Sequence, residues 1–206
     1  MSASSKKTFG IALTAMLSAL AFVLMFVEFP VPIMPAFIKF DVSDLPAVFG
    51  AFVLGPFYGV LIELIKNLLH ILIKGTTSAG VGELSNFLLG AVFCLVGGFI
   101  YKAKQTTGGA LLAAVAGALA MGLVCLPLNY FLVYPAYVKF YHMPLEAIIG
   151  MYQEILPKAA QMPTSNALFN CLLIFNVPFT AAKGLIDAVL CILIYKPLSH
   201  ALKGKF

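Results

Sequence analysis

Long apolar segments with few charged side chains constrain this chain more than any other feature of its sequence. The first of them, Phe9 to Val27, is 19 residues long and contains no charge. Charged residues make up 10% of the chain, compared with about 25% in an ordinary soluble domain, and the mean hydropathy is +1.02. A membrane-spanning helix takes about 20 residues. The sequence therefore predicts an integral membrane protein of about six spans without a soluble domain.

The predicted fold is all-α, a single membrane domain over 1–206 in which six transmembrane helices form a compact bundle. The expected helices are 9–27, 44–55, 57–74, 83–102, 108–137 and 178–202. The proline-rich loop 28–43 is expected to fold back over the bundle, because an apolar loop is unstable in bulk water. The segment 138–177 is expected to contain a short amphipathic helix, at about 144–156, that lies at the interface or caps the bundle.

The lysines indicate how the chain is oriented. The net charge is +5 and many lysines lie at segment ends, which indicates membrane topology rather than nucleic-acid binding. If Lys6 and Lys7 are cytoplasmic, six spans also place Lys102 and Lys104 inside, together with the last lysines, Lys196, Lys203 and Lys205. Both termini are then cytoplasmic, and the loops 28–43, 75–82 and 138–177 are outside.

This topology gathers polar side chains at one depth. Asp44, Glu83, Asn86, Asn129 and Lys183 all fall near the outer ends of different predicted helices. A charged group at that depth is unfavourable unless it is paired or solvated, so their convergence suggests a shared cavity near the outer face. The run Lys39-Phe-Asp-Val-Ser-Asp-Leu-Pro46, at the entrance to an apolar segment, is the leading candidate for a small-molecule capture site at the outer mouth of the bundle. Asp44 is also a good helix N-cap, and both roles are compatible.

The predicted helix 57–74 is the most polar of the set. Glu63, Lys66, Asn67, His70 and Lys74 recur every three or four residues and share one face, which cannot be turned to lipid. We expect an internal ion-pair ladder, then a partner surface, then part of a transport path, in that order.

Small residues mark one face of the first helix. Ala12, Ala15 and Ala19 lie together on it, and such spacing lets another helix approach closely in lipid. Spacing alone favours packing within the same bundle over contact with another protein. The four cysteines lie in apolar runs without a Cys-x-x-Cys pair, which favours core packing over metal ligation or disulfides.

Enzymatic and self-sufficient transport functions have little support. The chain contains no Gly-x-x-x-x-Gly-Lys-Ser/Thr phosphate loop. Glu63 and His70 share the face that could serve an intramembrane enzyme, but no nucleophile or metal set accompanies them. Many stand-alone carriers have internal repeats, and none is recognisable here.

Four stretches carry a family resemblance. They are Lys39 to Gly59, Glu63-Leu-Ile-Lys-Asn-Leu-Leu-His70, Leu128-Asn-Tyr-Phe131 and Pro178-Phe-Thr-Ala-Ala-Lys-Gly184. Together they resemble the substrate-binding S components of energy-coupling factor (ECF) vitamin transporters, and more narrowly the riboflavin-specific branch.

The resemblance implies a non-enzymatic protein of the prokaryotic plasma (inner) membrane that captures riboflavin from outside as its transported ligand, with no cofactor or metal of its own. Its partners would be a membrane-spanning coupling protein and two ATPase subunits, and Ala12, Ala15 and Ala19 would contact the coupling protein. The alternatives are an S component for another vitamin or flavin, a stand-alone carrier and, less favoured, an intramembrane enzyme.

The resemblance also implies ligand-binding residues in the first loop and the last three helices. Riboflavin is a flat ring with a polar dione edge and a hydroxylated chain, so its site needs apolar walls and a few polar groups. The expected walls are Phe37, Phe40, Leu45 and Tyr130, and the expected polar contacts are Asn129, Thr180 and Lys183, followed by Lys39, Asp44, Glu83 and Asn86. The branch commonly has asparagine where Thr180 stands, and Lys183 has an ion pair with Asp187 as its alternative role.

Overall fold

The computed structural model describes residues 3–161, 164 and 166–202, with side chains from residue 7 to 194. Lys203 and Lys205, two of the lysines used to predict the topology, lie outside the described residues. The elements in chain order are α1 (Ala3–Phe26), β1 (Phe29–Pro30), β2 (Lys39–Phe40), α2 (Leu45–Val53), α3 (Pro56–Ile73), α4 (Val81–Ala103), α5 (Thr107–Leu128), α6 (Tyr134–Phe140), α7 (Leu145–Ile155), α8 (Ala167–Cys171) and α9 (Val177–Leu202).

Helices pack against one another throughout the described part of the chain, which confirms the all-α membrane fold. The only strands described there are β1 and β2, a two-residue antiparallel pair in which Phe29 faces Phe40. We call the end of the bundle that carries this pair, together with residues 74–80 and 141–161, the upper end. The opposite, lower end carries the connections at 54–55 and 104–106.

Five helical segments are long and apolar enough to cross a membrane, so the count of six is not confirmed. They are Lys7–Phe26, Pro56–Ile73, Val81–Ala103, Thr107–Phe140 and Ala167–Ile194. The helix predicted at 44–55 is α2, whose nine residues extend roughly 14 Å across a hydrocarbon layer of about 30 Å. Gly55, with φ of 115°, and Pro56 separate it from α3.

The loop 28–44 makes up the rest of that crossing. Glu28 contacts Lys74 at the upper end of α3, whereas Asp44 contacts Lys66, eight residues or about 12 Å lower along the same helix. The loop therefore descends from the upper end to the middle of the bundle, and α2 continues from there to the lower end.

Two of the long segments contain a π-helical turn just before a proline. Asn129–Val133 joins α5 to α6 and precedes Pro135, and Leu172–Asn176 joins α8 to α9 and precedes Pro178. In each case the last π-type hydrogen bond is donated by the residue before the proline, Tyr134 or Val177. Because proline has no N–H to donate, the wider turn lets the helix continue. The last helix was wrongly predicted to begin at 178, since helical structure already starts at Ala167.

The amphipathic helix α7 covers the upper end. Ile148 and Tyr152 on one of its faces are buried, whereas Glu146 and Glu154 are exposed. The buried face belongs to an upper apolar cluster that also contains Tyr134, Tyr137 and Phe175. A second, larger cluster fills the lower part of the bundle between α1, α2, α3, α4, α5 and α9.

The small-residue face of α1 points away from the bundle. Ala12, Ala15 and Ala19 are all exposed, while Leu17 and Ala21 on the opposite side belong to the lower apolar cluster. Packing of the alanine face within the same bundle, which spacing alone favoured, is therefore wrong. The face is free to contact lipid or another protein.

Candidate functional site

Two adjoining cavities open at the upper end. The first, which we call the upper cavity, has a volume of about 150 Å³ and reaches down between α4, α5 and α9. The second, which we call the mouth cavity, has a volume of about 410 Å³ and lies beneath the loops 28–44 and 75–80. Both are lined by Phe37, Lys39, Gly82, Asn86 and Tyr137. A small-molecule pocket usually measures about 300–1,000 Å³. The mouth cavity alone falls within this range, and the upper cavity adds to it.

A buried network of charges forms the floor of the upper cavity. Lys66 of α3 has no exposed surface, and its Nζ lies 2.6 Å from Asp44 Oδ1, 2.7 Å from Glu63 Oε2 and 3.0 Å from Ser43 Oγ. The Glu63 carboxylate fits against Gly90 of α4, where any Cβ would lie 2.5 Å from Oε2. Lys66 thus joins the end of the loop 28–44 to α3, and the Glu63 carboxylate that it binds packs against α4.

Lys183 of α9 joins this network from the opposite side. Its Nζ lies 3.0 Å from Asp44 Oδ2 and 3.3 Å from Asp41 Oδ2. The alternative pairing with Asp187, one turn along α9, does not occur in the structure. Asp187 has no exposed surface and neither of its carboxylate oxygens has a hydrogen-bond partner among the described residues.

Asp44 does not cap α2. It occupies the N-cap position, but its side chain makes no capping hydrogen bond. Its two oxygens are bound by the Lys66 and Lys183 ammonium groups instead, and a charge-assisted bond is stronger than one to a neutral backbone N–H. The capping role predicted for Asp44 is therefore wrong, and the residue links α3 to α9.

The polar face of α3 is an internal ladder, as the leading interpretation held. Glu63, Lys66, Asn67 and His70 are all buried. His70 Nδ1 lies 3.2 Å from Glu83 Oε1, and the face ends at Lys74, which reaches Glu28. Every charged member of the face except Lys74 is buried against a partner of opposite charge or a hydrogen-bonding group.

Amide and hydroxyl groups line the middle of the upper cavity. Asn129 donates from Nδ2 to the Cys125 carbonyl at 2.9 Å and contacts Cys125 Sγ at 3.0 Å. Its Oδ1 makes no hydrogen bond to the described residues and remains available to accept one. Thr180 Oγ1 lies 3.1 Å from the same sulfur, so Cys125 holds a polar side chain on each of two facing helices.

A neutral hydrogen-bonded ring closes the cavity above these groups. Tyr134 and Tyr152 are hydrogen-bonded through their hydroxyls, Tyr152 donates to Asn176 Oδ1 at 2.6 Å, and Asn176 Nδ2 donates to the Tyr134 hydroxyl at 3.2 Å. All three residues are buried. The ring joins α7, which covers the upper end, to two residues that line the upper cavity, Tyr134 and Asn176.

A more exposed ion cluster ties the loop 28–44 down at the rim of the mouth cavity. Glu28 Oε1 lies 2.7 Å from Lys39 Nζ and 2.5 Å from Lys74 Nζ. Partial burial raises the pKa of Glu28, but hydrogen bonds and the positive charges of both lysines outweigh it and hold that pKa below its ordinary value. The cluster connects the end of α1, the strand β2 and the end of α3.

The structure brings seven of the predicted ligand-binding residues together around the upper cavity. They are Phe37, Lys39, Asp44, Asn86, Asn129, Thr180 and Lys183. The other four do not line it. Phe40 packs between Phe29 and Phe179, Leu45 packs on the lower apolar cluster, Glu83 lines the mouth cavity, and Tyr130 packs against Phe131 and Phe169.

Several lining residues had not been predicted from the sequence. Tyr134, Tyr137, Asn176 and Phe179 line the upper cavity, and Asp41 binds Lys183. Asn176, Thr180, Lys183 and Asp187 are spaced by four, three and four residues, so they share one helical face. This spacing would have revealed Asn176 if helical structure had been continued back through Pro178.

Metal-ligating side chains do not cluster among the described residues. No group of three or more histidine, cysteine, aspartate or glutamate side chains within the described residues could hold one. The four cysteines are buried and unpaired. The chemistry of the site is that of hydrogen bonding and ion pairing beside aromatic walls.

Known proteins resemble this chain in sequence and in fold over most of its length. A family profile described as "ECF transporter, substrate-specific component" matches residues 10–195. The riboflavin transporter FmnP of Bacillus subtilis (strain 168) is 32% identical over 186 residues, 90% of this chain and 89% of that protein. The riboflavin transporter RibU of Staphylococcus aureus (strain TCH60) is 32% identical over 189 residues, 92% and 89% of the two chains.

A solved structure agrees with these relatives. It is described as "Structure and mechanism of the S component of a bacterial ECF transporter", has 31% sequence identity and superposes with a TM-score of 0.72 over 96% of this chain and 99% of that one. The fold, the family profile and the two relatives all give the same result. This chain belongs to the family of substrate-specific components, or S components, of ECF transporters.

Proposed function

We propose that this chain is the riboflavin-binding S component of an ECF transporter and holds the vitamin in the upper cavity. The relatives are about 30% identical to this chain over most of its length and are named riboflavin transporters, which supports riboflavin as the ligand. The observation that carries the proposal is the lining of the cavity, where carboxamide, hydroxyl and ammonium groups from α4, α5 and α9 meet aromatic side chains.

The chemistry of the lining suits the two parts of riboflavin. Phe37, Phe179 and Tyr137 offer aromatic surface to the flat ring. Asn129 Oδ1 can accept from a ring N–H, while Asn86 and Lys183 can donate to carbonyl or hydroxyl oxygens. The adjoining mouth cavity has the volume and the polar rim for the hydroxylated chain.

The loop 28–44 serves as the cover of this site. It contributes Phe37 and Lys39 to both cavities and is fastened at the rim by Glu28, Lys39 and Lys74. Opening these contacts would expose the cavity at the upper end. With both termini in the cytoplasm, as the lysines favour, the upper end faces outward and captures the vitamin from outside the cell.

Transport needs partners, in our proposal a membrane-spanning coupling protein and two ATPase subunits. The chain contains no phosphate-binding loop of the Gly-x-x-x-x-Gly-Lys-Ser/Thr type. The exposed face of Ala12, Ala15 and Ala19 on α1 offers a helix of the coupling protein a close approach. We assign the protein no enzymatic activity and no cofactor of its own, with riboflavin as cargo.

Flavin fluorescence tests the binding proposal. The chain has no tryptophan, so quenching of riboflavin emission by the purified protein reports on the flavin without overlap from indole. We expect saturable quenching at sub-micromolar riboflavin. Phe179→Ala should weaken binding about tenfold through loss of an aromatic wall, whereas Phe131→Ala, at a ring that is 75% exposed on α5–α6, should not. Absence of quenching by the wild-type protein would overturn the assignment of the ligand.

Leucine substitutions test the coupling surface. Ala15→Leu and Ala19→Leu should abolish assembly with the coupling protein and riboflavin uptake while leaving binding intact, because the added side chains prevent close helix approach. Ala182→Leu, an equal change at an exposed position of α9, is the control and should assemble normally. Loss of riboflavin binding in the α1 variants would instead show that this face supports the fold.

A further inference from the structure

The hydrogen atoms of the Tyr134, Tyr152 and Asn176 ring can be assigned from its connectivity. Tyr152 gives its one hydroxyl proton to Asn176 Oδ1, so the contact between the two hydroxyls requires Tyr134 to donate to Tyr152. Asn176 Nδ2 completes the ring by donating to Tyr134. Each residue therefore donates once and accepts once, and both phenolic protons are used within the ring.

Asn176 has hydrogen-bonding capacity beyond the ring. A carboxamide carries two N–H donors and two acceptor lone pairs, and the ring uses one of each. The residue lines the upper cavity, so its second N–H is available to a bound molecule. Reversing the amide would exchange the two ring bonds but would still leave one N–H free, so this count does not depend on the amide orientation.

The position of Asn176 also points to a ligand. It ends the π-helical turn Leu172–Asn176 and lies one helical turn above Thr180, on the face of α9 that also carries Lys183. Leu89, Met121 and Val133 line the same cavity with apolar surface, which suits the flavin ring better than the hydroxylated chain. π-helical turns inside α-helices frequently occur at functional sites.

We propose that Asn176 donates a hydrogen bond to an acceptor atom of the flavin ring and determines specificity there, and that Tyr152 of α7 positions it. The inference rests on the proposed riboflavin function and extends it to a residue that the sequence did not single out. Tyr152 does not itself line either cavity. It acts by holding the carboxamide plane, and so ties the helix that covers the upper end to the contents of the cavity.

Flavin analogues with altered acceptors provide the test. Dissociation constants are measured for riboflavin and its 2-thio, 4-thio, 1-deaza and 5-deaza analogues, each of which weakens or removes one ring acceptor. For one analogue we expect the wild-type protein to bind more weakly than it binds riboflavin. Asn176→Ala should weaken riboflavin binding about tenfold, the effect of one hydrogen bond, and should abolish discrimination against that same analogue. Tyr152→Phe should weaken riboflavin binding about threefold and reduce that discrimination.

Two matched variants separate ligand contact from a role in folding. Asn170→Ala removes another fully buried asparagine of the same continuous helix, one that bonds Thr164 and the Ala160 carbonyl and lines neither cavity. Tyr58→Phe removes a hydroxyl from the exposed surface of α3. Both should retain the discrimination of the wild-type protein, even if Asn170→Ala lowers thermal stability.

The outcomes distinguish the possible failures. Equal weakening for all five ligands in Asn176→Ala and Tyr152→Phe would overturn the proposal and assign both residues a purely structural role. Unchanged affinity in both variants would overturn it as well. If the wild-type protein bound no flavin at all, the riboflavin function itself would fail. Tyr152→Phe removes a single oxygen atom, so it tests the proposal even if Asn176→Ala does not fold.

Discussion

The neutral ring above the upper cavity and the charged network below it are both buried, but they satisfy their polar groups differently. In the ring of Tyr134, Tyr152 and Asn176 each residue donates once and accepts once. In the network, Lys66 and Lys183 share Asp44 and each also binds a second carboxylate. The neutral ring is closed, whereas the charged network has several partners for each cation.

This difference suggests distinct tasks for the two regions. A closed neutral ring fixes orientation, because no member can turn without breaking a hydrogen bond between buried groups. An ammonium group with two carboxylate neighbours can lose one and remain paired. Lys183 is therefore the member of the network best placed to shift toward a ligand, while Lys66, fully enclosed, holds the helices.

Lys66→Met should have the largest effect, because it removes the cation that holds Asp44 and Glu63. Breaking a buried ion pair by removing one partner destabilises a protein by about 3–5 kcal/mol. Here Glu63 loses its only ion-pair partner among the described residues, and Asp44 keeps Lys183 alone. We expect little folded protein. Reaction of the four buried cysteines with a thiol-specific fluorophore during heating measures the loss.

Lys102→Met is the control for this substitution. Lys102 is exposed near the lower end of α4, so the same change there removes charge without opening a buried pair, and the unfolding temperature should stay near that of the wild type. Glu63→Gln combined with Lys66→Met should recover part of the lost stability by removing the carboxylate that Lys66→Met leaves unpaired. Wild-type stability of Lys66→Met alone would contradict the role of Lys66 as the structural centre.

Two isosteric substitutions should distinguish a carboxylate that stabilises the fold, Asp44, from one that does not, Asp187. Asp44→Asn removes the negative charge that binds both ammonium groups and should lower the free energy of unfolding by about 3 kcal/mol. Asp187→Asn removes no hydrogen bond or ion pair among the described residues, so we expect a change below about 1 kcal/mol. Thermal unfolding followed by cysteine reactivity compares the two directly. Equal destabilisation by both would mean that Asp187 is as firmly paired as Asp44.

The sequence predicted the charged network better than the neutral ring. The spacing of Glu63, Lys66 and His70 along one predicted helix was enough to indicate an internal ladder, because such a face cannot be turned to lipid. Asp44 was recognised as a special position, but its partners Lys66 and Lys183 come from different helices, and no local pattern specifies a contact across the bundle.

The neutral ring could not be predicted for a different reason. Proline ordinarily ends or kinks a helix, and the last helix was predicted to begin at Pro178. Asn176 was therefore left in the outer segment 138–177 and was not recognised as sharing the α9 face with Thr180 and Lys183. The π-helical turn that lets the helix continue through Pro178 places Leu172 and Phe175 in the upper cluster, and a proline alone does not show whether a helix ends there or continues in this way. Tyr152 had in turn been placed on a helix that could lie at the interface or cap the bundle, with no partner indicated.

Glu28→Gln should have the smallest effect, because the ion cluster at the rim lies outside both buried regions. Exposed pairs contribute about 0.2–1 kcal/mol, so we expect riboflavin to dissociate no more than about fivefold faster. The pKa of Glu28 is lowered in the folded protein, so its contribution is complete at neutral pH and is lost as the pH falls below the ordinary glutamate value of about 4.3. Dissociation of riboflavin should therefore accelerate in acid for the wild type but less so for Glu28→Gln, and high salt should reduce the difference between them.

Glu154→Gln, an equal change at an exposed position of α7, is the control and should behave as the wild type. If Glu28→Gln destabilised the protein as much as Lys66→Met, the rim cluster would belong with the buried network rather than with the cover of the site.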